Sequence, residues 1–171
     1  MLNLNVVTLS PTQQKLVHSL EIAIGQLMDS ENVVGVVFSG LEEMSQFVLQ
    51  GELNGIVHLS GQISAIIGLS MSQNLGRELI AQMTGLSADM LEKEDMMDGV
   101  AELVNIVCGA MKSNAQFGPI VLTTPVAILG GEITAVWKTT LPTLKLTFEI
   151  QEEILNILLY IEDEKKPRNV D

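Results

Sequence analysis

Three stretches of the 171-residue chain repeat apolar residues at the spacing of an α-helix. The first begins at a strong start signal, since Ser10 can cap a helix, Pro11 suits its first position and Gln13 can complete a capping box. Apolar residues then recur at helical spacing, and the pattern predicts a helix that ends by Ser30.

The other two helical stretches lie in the middle of the chain. Ser70 or Ser72 can cap the second helix, which is predicted to end at Gly85. The third helix is predicted from about Glu92 to Ala115. Acidic residues in its first turn suit the positive end of the helix dipole.

Shorter apolar runs, separated by turn residues such as Ser60-Gly61, fill the rest of the chain and are typical of β-strands. Strands are predicted at residues 33–38, 47–49, 55–59, 63–71, 120–129, 133–140, 144–150 and 154–161. The pattern therefore predicts a single α+β domain of the α/β sandwich type over residues 1–162. Two long helices pack on one face of an extended, mainly antiparallel sheet, and the polar residues 163–171 are expected to form a tail.

The third helix carries one narrow polar stripe on an otherwise apolar surface. At about 100° per residue, the members of the stripe lie within roughly 40° of its first residue. They are Asp98, Glu102, Asn105, Gly109 and Lys112. A helix that buries most of its circumference yet aligns an acid, an amide and a glycine is expected to present them to a partner or ligand. The alternative is the ordinary solvated face of an amphipathic helix.

The order of elements, a helix followed by strands, occurs twice and indicates an internal repeat. Aligning Glu21 with Glu102 gives an acidic residue in both helices. In this alignment Ile24 corresponds to Asn105, and no small residue corresponds to Gly109. If the halves are related, only the second is expected to keep the polar stripe.

Charge and composition argue against several classes of function. Nine Lys and Arg against 21 Asp and Glu give a formal net charge of −12, and this field repels nucleic acid and anionic membrane surfaces. His18 and His58 are isolated, and no spacing of His, Cys and Asp resembles a metal site.

The single Cys108 excludes a disulfide framework and fits a reducing compartment. No apolar run reaches the roughly 18 residues of a membrane span, and residues 1–10 do not resemble a secretory signal. A cytoplasmic protein is therefore expected.

Asp98, Glu102 and Asn105, followed downstream by Pro125, resemble the signature of the CheC/CheX chemotaxis phosphatases. In that family an acidic residue or Ser, a Glu and an Asn occupy this spacing on a long helix, and a proline follows the next loop. Pro119 is an alternative match for that proline. The resemblance covers most of the chain after its first 50 residues or so, including the hairpin and helix before the long helix and the strands after it.

The resemblance implies a phosphatase that accelerates hydrolysis of the aspartyl phosphate on a CheY-like response-regulator receiver domain, in chemotaxis or related two-component signalling. Asn105 would position the attacking water and Glu102 would contact the receiver's active-site lysine, with Asp98, Gly109 and Pro125 as further contributors. This chain would bind no cofactor, because the receiver supplies the Mg²⁺. The first helix lacks a second Glu-x-x-Asn, which implies a CheX-like form with a single site.

A non-catalytic interaction module is the competing interpretation. It would bind a receiver or another signalling partner, similar to the middle domain of flagellar switch proteins. The feature that separates the two interpretations is Asn105, because an interaction module has no need for an outward-facing amide.

Elementary chemistry supports the catalytic roles. Phosphoryl transfer needs little covalent help, so holding a water in line with the phosphorus is a large part of catalysis. A carboxamide can accept and donate hydrogen bonds without adding a repelling charge, and a carboxylate on the same helix face can pair with a lysine. Gly109 would let a partner's backbone approach closely, at about 1 kcal/mol of helix propensity.

Methionine is a further candidate for partner contact, because its side chain is flexible and polarizable. Four methionines lie in or beside the second and third helices: Met83, Met90, Met96 and Met97. Core packing is their expected role, and an adaptable docking surface is the alternative.

The last predicted strand, Ile154–Ile161, is almost continuously apolar, with Asn156 the one clear exception. Such a strand is normally covered on both faces, and at a sheet edge it would invite pairing with a second copy. The mean hydropathy of +0.34 and the resemblance to CheX-like proteins, which pair through their sheets, point the same way. A homodimer is therefore expected, and a central strand within a monomer is the alternative.

Overall fold

The computed structural model describes residues 7–164, apart from residues 32, 34, 132 and 133 and the side chains of residues 163 and 164. Within these residues, three α-helices and one 3-10 turn are combined with nine strands. The helices are α1 (Pro11–Ser30), α2 (Gln73–Thr84) and α3 (Lys93–Ala115), and the 3-10 turn is Ala88–Met90. The strands are β1 (Val36–Met44), β2 (Phe47–Leu49), β3 (Leu53–Gly61), β4 (Ile63–Met71), β5 (Ile120–Leu122), β6 (Val126–Leu129), β7 (Ala135–Trp137), β8 (Thr143–Ile150) and β9 (Glu153–Glu164).

The helix ends follow from short-range sequence signals. Ser10 Oγ accepts a hydrogen bond from Gln13 N at 3.2 Å, and Ser10 N donates to Gln13 Oε1 at 2.8 Å, which completes the predicted capping box. Of the two candidate serines before α2, Ser72 is the cap, with its Oγ 3.0 Å from Leu75 N. Gly85 ends α2 in a left-handed conformation with φ of 72°, which glycine adopts without a steric penalty.

All the strand pairs are antiparallel. The main sheet has the order β1-β8-β9-β4-β3-β5, with β6 also pairing with β3, while β2 and β7 form a separate ribbon. The three helices share one large apolar core with one face of the main sheet. The ribbon covers part of the opposite face, where the second apolar cluster consists of Phe47, Leu49, Ile56, Leu158 and Tyr160. The predicted α+β fold, with long helices on an antiparallel sheet, is confirmed.

β1 is longer than predicted. The predicted strand ends at Phe38, but β1 continues to Met44 and pairs with β8 along its whole length. The register shifts between Phe38 and Gly40, so the Ser-Gly pair forms a bulge within the strand. Glu42 and Lys145 face each other across the two strands with Oε1 2.7 Å from Nζ. The sequence pattern missed the strand because its stabilising partner lies about a hundred residues away in the chain.

The strand predicted at residues 120–129 is interrupted. β5 and β6 both pair with β3, but residues 123–125 between them leave the regular ladder. His58 N donates to Thr123 Oγ1 at 3.1 Å, and Thr123 N donates to His58 O at 2.9 Å, which anchors the interruption to β3. The next predicted strand is reduced to β7, and its first residue, Ile133, lies outside the described residues.

β9 lies at the centre of the sheet, between β4 and β8. Residues 154–161 therefore do not lie at a sheet edge where they could pair with a second copy, and burial within one chain explains their apolar character. β9 also continues to Glu164, so residues 163 and 164 belong to the strand and not to the expected tail. The remaining tail, residues 165–171, lies outside the described residues.

The repeated order of elements is present in the fold. α1-β1-β2-β3-β4 in the first half corresponds to α3-β5/β6-β7-β8-β9 in the second half. The equivalent strands β4 and β9 pair with each other, as do β2 and β7. β1 pairs with β8 of the second half, and β5 and β6 pair with β3 of the first half, so the two halves are interlocked.

Candidate functional site

α3 lies tightly against the sheet, and this contact determines which of its faces is exposed. A Cβ added to Gly55 of β3 would lie 3.0 Å from Val100 O and 3.3 Å from Val104 Cβ, so the absence of a side chain lets the helix approach the strand. Nine residues of α3 are buried: Met96, Gly99, Val100, Leu103, Val104, Val107, Cys108, Met111 and Ala115. At about 100° per residue they occupy about half of the helix circumference, and a strip centred near Asp98 runs along the middle of the opposite, more exposed half.

The predicted polar stripe lies on that strip. Asp98, Glu102 and Lys112 are exposed, whereas Asn105 and Gly109 are half-buried. Within the described part of the chain, the side chains of Glu102 and Asn105 make no hydrogen bond to any other residue. The amide and the carboxylate are therefore free to bind groups that the chain itself does not provide.

Gly109 leaves open space one helical turn beyond Asn105. A Cβ added at residue 109 would meet no neighbouring atom within 4 Å. The packing of this chain therefore does not require a glycine here, and glycine lowers helix stability by about 1 kcal/mol relative to alanine. A flat surface beside the amide is what the glycine provides.

The two candidate prolines occupy different places. Pro125 is half-buried in the interruption between β5 and β6, two strands that α3 contacts. Pro119 is exposed before β5, and its carbonyl oxygen accepts a hydrogen bond from Gln62 N at 3.1 Å. Pro125 thus lies in the loop that Thr123 and His58 hold against β3. Pro119 instead lies beside the turn that connects β3 and β4, through its contact with Gln62.

The geometry of α3 and its surroundings coincides with a match to a known family. The sequence model for the chemotaxis phosphatase CheX matches residues 53–149, which is more than half of the chain and contains all of α3. The chain belongs to the CheX chemotaxis phosphatase family. Comparison with functionally curated protein sequences gives no match.

Solved structures share the fold of this CheX-family chain. CheX from Desulfovibrio desulfuricans has 16% sequence identity and a TM-score of 0.75, over 86% of this chain and 99% of that chain. A chain of the CheX-CheY-BeF3-Mg²⁺ complex from Borrelia burgdorferi has 18% identity and a TM-score of 0.67, over 88% and 97%. A chain of the FliM-SpeE complex from H. pylori has 9% identity and a TM-score of 0.62, over 91% and 90%. At these identities the similarity shows the fold alone.

In this CheX-family fold, α1 takes the place in the first half that α3 takes in the second. The register that places Ile24 on Asn105 is wrong, because Ile24 is fully buried whereas Asn105 is half-exposed. Aligning the start of β1 with the start of β5 places Glu21 on Asn105 and Gly25 on Gly109. A carboxylate therefore replaces the carboxamide in the first half, and only the second half carries the Glu-x-x-Asn arrangement.

The four methionines have different environments. Met96 is buried, and Met83 and Met97 are half-buried, in agreement with the expected core packing. For Met90 the expected core packing is wrong, because this residue lies in the 3-10 turn and its side chain is strongly exposed. The sequence pattern could not separate it from the others, since its exposure depends on how the turn is held.

A polar cluster on the sheet face opposite to the helices joins β3, β4 and β9. Ser64 Oγ donates to Glu162 Oε2 at 2.6 Å, and His58 Nε2 lies 2.9 Å from the same oxygen. These two contacts, the hydroxyl first and the imidazole second, lower the pKa of Glu162 below its usual value. Ser64 and His58 contact the same carboxylate oxygen, and Ser64 Oγ also lies 3.3 Å from His58 Nε2. The cluster therefore links the three strands, and it is not a catalytic relay that activates the serine.

Cys108 is fully buried, and desolvation raises the pKa of its thiol, which keeps it protonated and unreactive. Among the described residues, no group of three or more His, Cys, Asp and Glu side chains is arranged to hold a metal ion. No helix in that part of the chain is both long and apolar enough to span a membrane.

Proposed function

We propose that this CheX-family protein accelerates hydrolysis of the aspartyl phosphate on a CheY-like response-regulator receiver domain. The observation that carries the proposal is the free, half-exposed carboxamide of Asn105, aligned with the exposed carboxylate of Glu102 on the face of α3 opposite to its buried face. Family membership supports the activity. The CheX-CheY complex of B. burgdorferi supports the class of partner.

The proposed reaction needs positioning and no covalent participation by this chain. A water oxygen attacks the phosphorus, the bond from phosphorus to the aspartate oxygen breaks, and the products are inorganic phosphate and a free carboxylate. The Asn105 amide would accept a hydrogen bond from the water through Oδ1 and donate to a phosphoryl oxygen through Nδ2. Orienting the water in line removes much of the entropic part of the barrier.

Glu102 and Gly109 lie on either side of Asn105 along the helix. Glu102 is one turn before the amide, about 4.5 Å along the helix axis, and its exposed carboxylate would form a charged hydrogen bond with a receiver lysine. Gly109 is one turn after the amide and would let the receiver backbone approach α3. Together the three residues would form a strip narrow enough to enter the phosphorylated pocket.

The Mg²⁺ ion would belong to the substrate and not to this chain. In the proposal the receiver holds the ion together with its phosphorylated carboxylate, and the ion neutralises charge on the phosphoryl oxygens. A neutral amide at position 105 suits this arrangement, because a carboxylate there would repel the phosphoryl group. Glu21, which takes the same place in α1, would therefore not act as a second catalytic residue.

A non-catalytic partner-binding module is the second candidate. The similarity to a chain of the FliM-SpeE complex favours it, because the same architecture occurs there at a TM-score of 0.62, and architecture alone does not imply hydrolysis. This alternative requires that Asn105 contribute nothing to phosphate release.

Phosphate release from a panel of phosphorylated receivers of the same organism tests the two candidates. We expect the wild-type protein to accelerate release from at least one receiver, and Asn105→Ala to return the rate close to the spontaneous one. Binding of a receiver by the wild-type protein without any acceleration would contradict the proposal and support the interaction module.

A further inference from the structure

The segment between α2 and α3 carries two exposed apolar side chains. Leu86 is 47% exposed and Met90 is 71% exposed, which is the highest value among the large apolar residues of the described chain. Exposed apolar side chains that lie close together can form a contact surface, and these two are four positions apart in one short segment. This segment, from Leu86 to Met90, is referred to below as the Leu86/Met90 turn.

The Leu86/Met90 turn is held in place by hydrogen bonds and by a buried anchor. Arg77 Nη1 of α2 donates to Ala88 O at 2.9 Å and to Leu91 O at 2.7 Å, and Met90 N donates to Ser87 O at 2.9 Å. Leu91 is only 4% exposed and fixes the end of the turn in the core. A guanidinium that satisfies two carbonyls gives the turn a defined conformation, so the exposure of Met90 is a property of the fold.

The turn leads directly into the helix that carries the candidate site. Lys93, the first residue of α3, precedes Asn105 by twelve positions, which corresponds to about 18 Å at the rise of a helix, and Met90 lies three positions before Lys93. A partner domain of about 100 residues has a radius of gyration of about 13 Å, so one such domain is wide enough to contact both positions. The surface between them carries one lysine, Lys93, and five exposed carboxylates: Glu92, Glu94, Asp95, Asp98 and Glu102.

We propose that the Leu86/Met90 turn is a second contact for the same receiver domain that the candidate site acts on, and that it determines which receiver binds. The inference rests on the proposed function. The matching receiver surface would be an apolar patch bordered by Lys or Arg side chains, because the carboxylates beside the turn attract a basic surface and repel an acidic one. The turn would contribute to affinity and selection, whereas Asn105 would contribute to the chemical step.

Continuity with the candidate site favours the receiver over other occupants. Exposed carboxylates recur at each turn from the start of α3, beside the Leu86/Met90 turn, to Glu102, so a receiver docked at Asn105 would extend over them. A second copy of this chain would bring the same carboxylates against themselves if it paired symmetrically at the turn, and the chain already carries a net charge of −12. Repulsion between like charges disfavours that pairing.

The experiment measures dephosphorylation under single-turnover conditions at increasing concentrations of this protein, which separates the half-saturating concentration from the saturating rate. The variant is Leu86→Ser combined with Met90→Ser. Its matched control is Val136→Ser, an apolar side chain of similar exposure (49%) on β7, away from α3. We expect the double variant to raise the half-saturating concentration about tenfold or more, with a saturating rate within about twofold of the wild type, and the control to change neither.

A second readout separates failure of this inference from failure of the proposed function. Binding of the receiver in its beryllofluoride form is titrated with the wild-type protein, the double variant and the control, and light scattering measures the mass of each protein alone. If the wild type is active and the double variant has the same receiver affinity and the same half-saturating concentration, the role of the turn is overturned. The proposed function is then left intact. A wild type that neither binds nor dephosphorylates any receiver would overturn both. A double variant with unchanged half-saturation but a smaller mass would show that a second copy occupies the turn.

Discussion

Gly99 of α3 faces Ile80 of α2 with no room for a side chain between them. A Cβ added at residue 99 would lie 2.6 Å from Ile80 Cγ1 and Cγ2, a distance that real Cβ contacts do not reach. The same helix contains Gly109, where an added Cβ would meet nothing within 4 Å. One glycine is therefore required by the packing of α2 on α3, and the other is not.

Adding one methyl group at each glycine is expected to have opposite effects on stability. Gly99→Ala should lower the free energy of unfolding by about 1–2 kcal/mol, because overpacking of about 1–3 kcal/mol outweighs the gain in helix propensity. Gly109→Ala should raise it by about 0.5–1 kcal/mol, since it gains helix propensity without a clash. Urea denaturation of the two variants checks this, and effects of the same sign would contradict the packing described for α3.

Asn105→Ala is expected to reduce the rate of receiver dephosphorylation about 100-fold or more, because the water loses its positioning group. The free energy of unfolding should change by less than about 0.5 kcal/mol, since the side chain has no partner to lose. Asn114→Ala on the same helix is the control, because its Nδ2 donates to Gln26 Oε1 at 3.2 Å and not to the stripe. Full activity of Asn105→Ala against a receiver that the wild type dephosphorylates would exclude the proposed mechanism.

Glu102→Gln is expected to raise the half-saturating concentration of the reaction about tenfold, which corresponds to about 1.4 kcal/mol of lost interaction. The exposed carboxylate is proposed to pair with a lysine, so the variant should also be less sensitive to salt than the wild type. Kinetics at low and high ionic strength measure both effects. Lys112→Met, which changes the net charge in the opposite direction on the same stripe, is the comparison, and an effect there of similar size and opposite sign would point to net charge and not to a specific pair.

Glu162→Gln is expected to reduce the dependence of stability on pH in acid. The pKa of Glu162 is lower in the folded state than in an unfolded chain, so the unfolded state binds more protons as the pH falls. The stabilisation is therefore complete above the usual carboxyl range and is lost as the pH falls through the lowered pKa. Urea denaturation from about pH 7 to about pH 3 should show the wild type and Glu162→Gln converging in acid. Ser64→Ala should give a partial effect, because its hydroxyl is the largest cause of the shift.

The homodimer stays a prediction. Because β9 is central in the sheet, the expected dimer contact lies on another strand. The free edges of the main sheet are β1 and the β5/β6 strand, and β1 carries the exposed apolar residues Val37 and Phe38. Pairing of two β1 edges is the expected contact, and Val37→Lys should weaken it because a charged edge opposes pairing. Light scattering at micromolar concentration measures the mass. A monomer mass for the wild type would contradict the prediction.

The parts of the fold that were predicted from the sequence are those with local causes. The capping box of Ser10 and Gln13 and the cap at Ser72 depend on residues three positions apart, so they are recognisable without knowledge of the partner strands. The stripe on α3 was also recognisable, because helical periodicity places residues of one face together. Its chemical role came from a resemblance and remains a proposal.

The parts that were missed depend on distant pairing. The Ser-Gly bulge in β1 resembles a turn until its pairing with β8 is known, and the apolar run of β9 reads the same for a central strand and for an edge strand that pairs with a second copy. The exposure of Met90 depends on Arg77, which is thirteen positions earlier and on another helix. No pattern along the chain reports such contacts.

The crossed pairing of the two halves has a consequence for synthesis of the chain. β1 finds its partner strand only when β8 has been made, and β4 reaches its second neighbour only with β9, the last strand. Non-local pairings of this kind slow folding, and the edge of β4 that pairs with β9 stays unpaired while the chain is still growing. The first half is therefore not expected to fold alone on the ribosome, and a chain truncated before β9 should aggregate instead of forming a smaller stable domain.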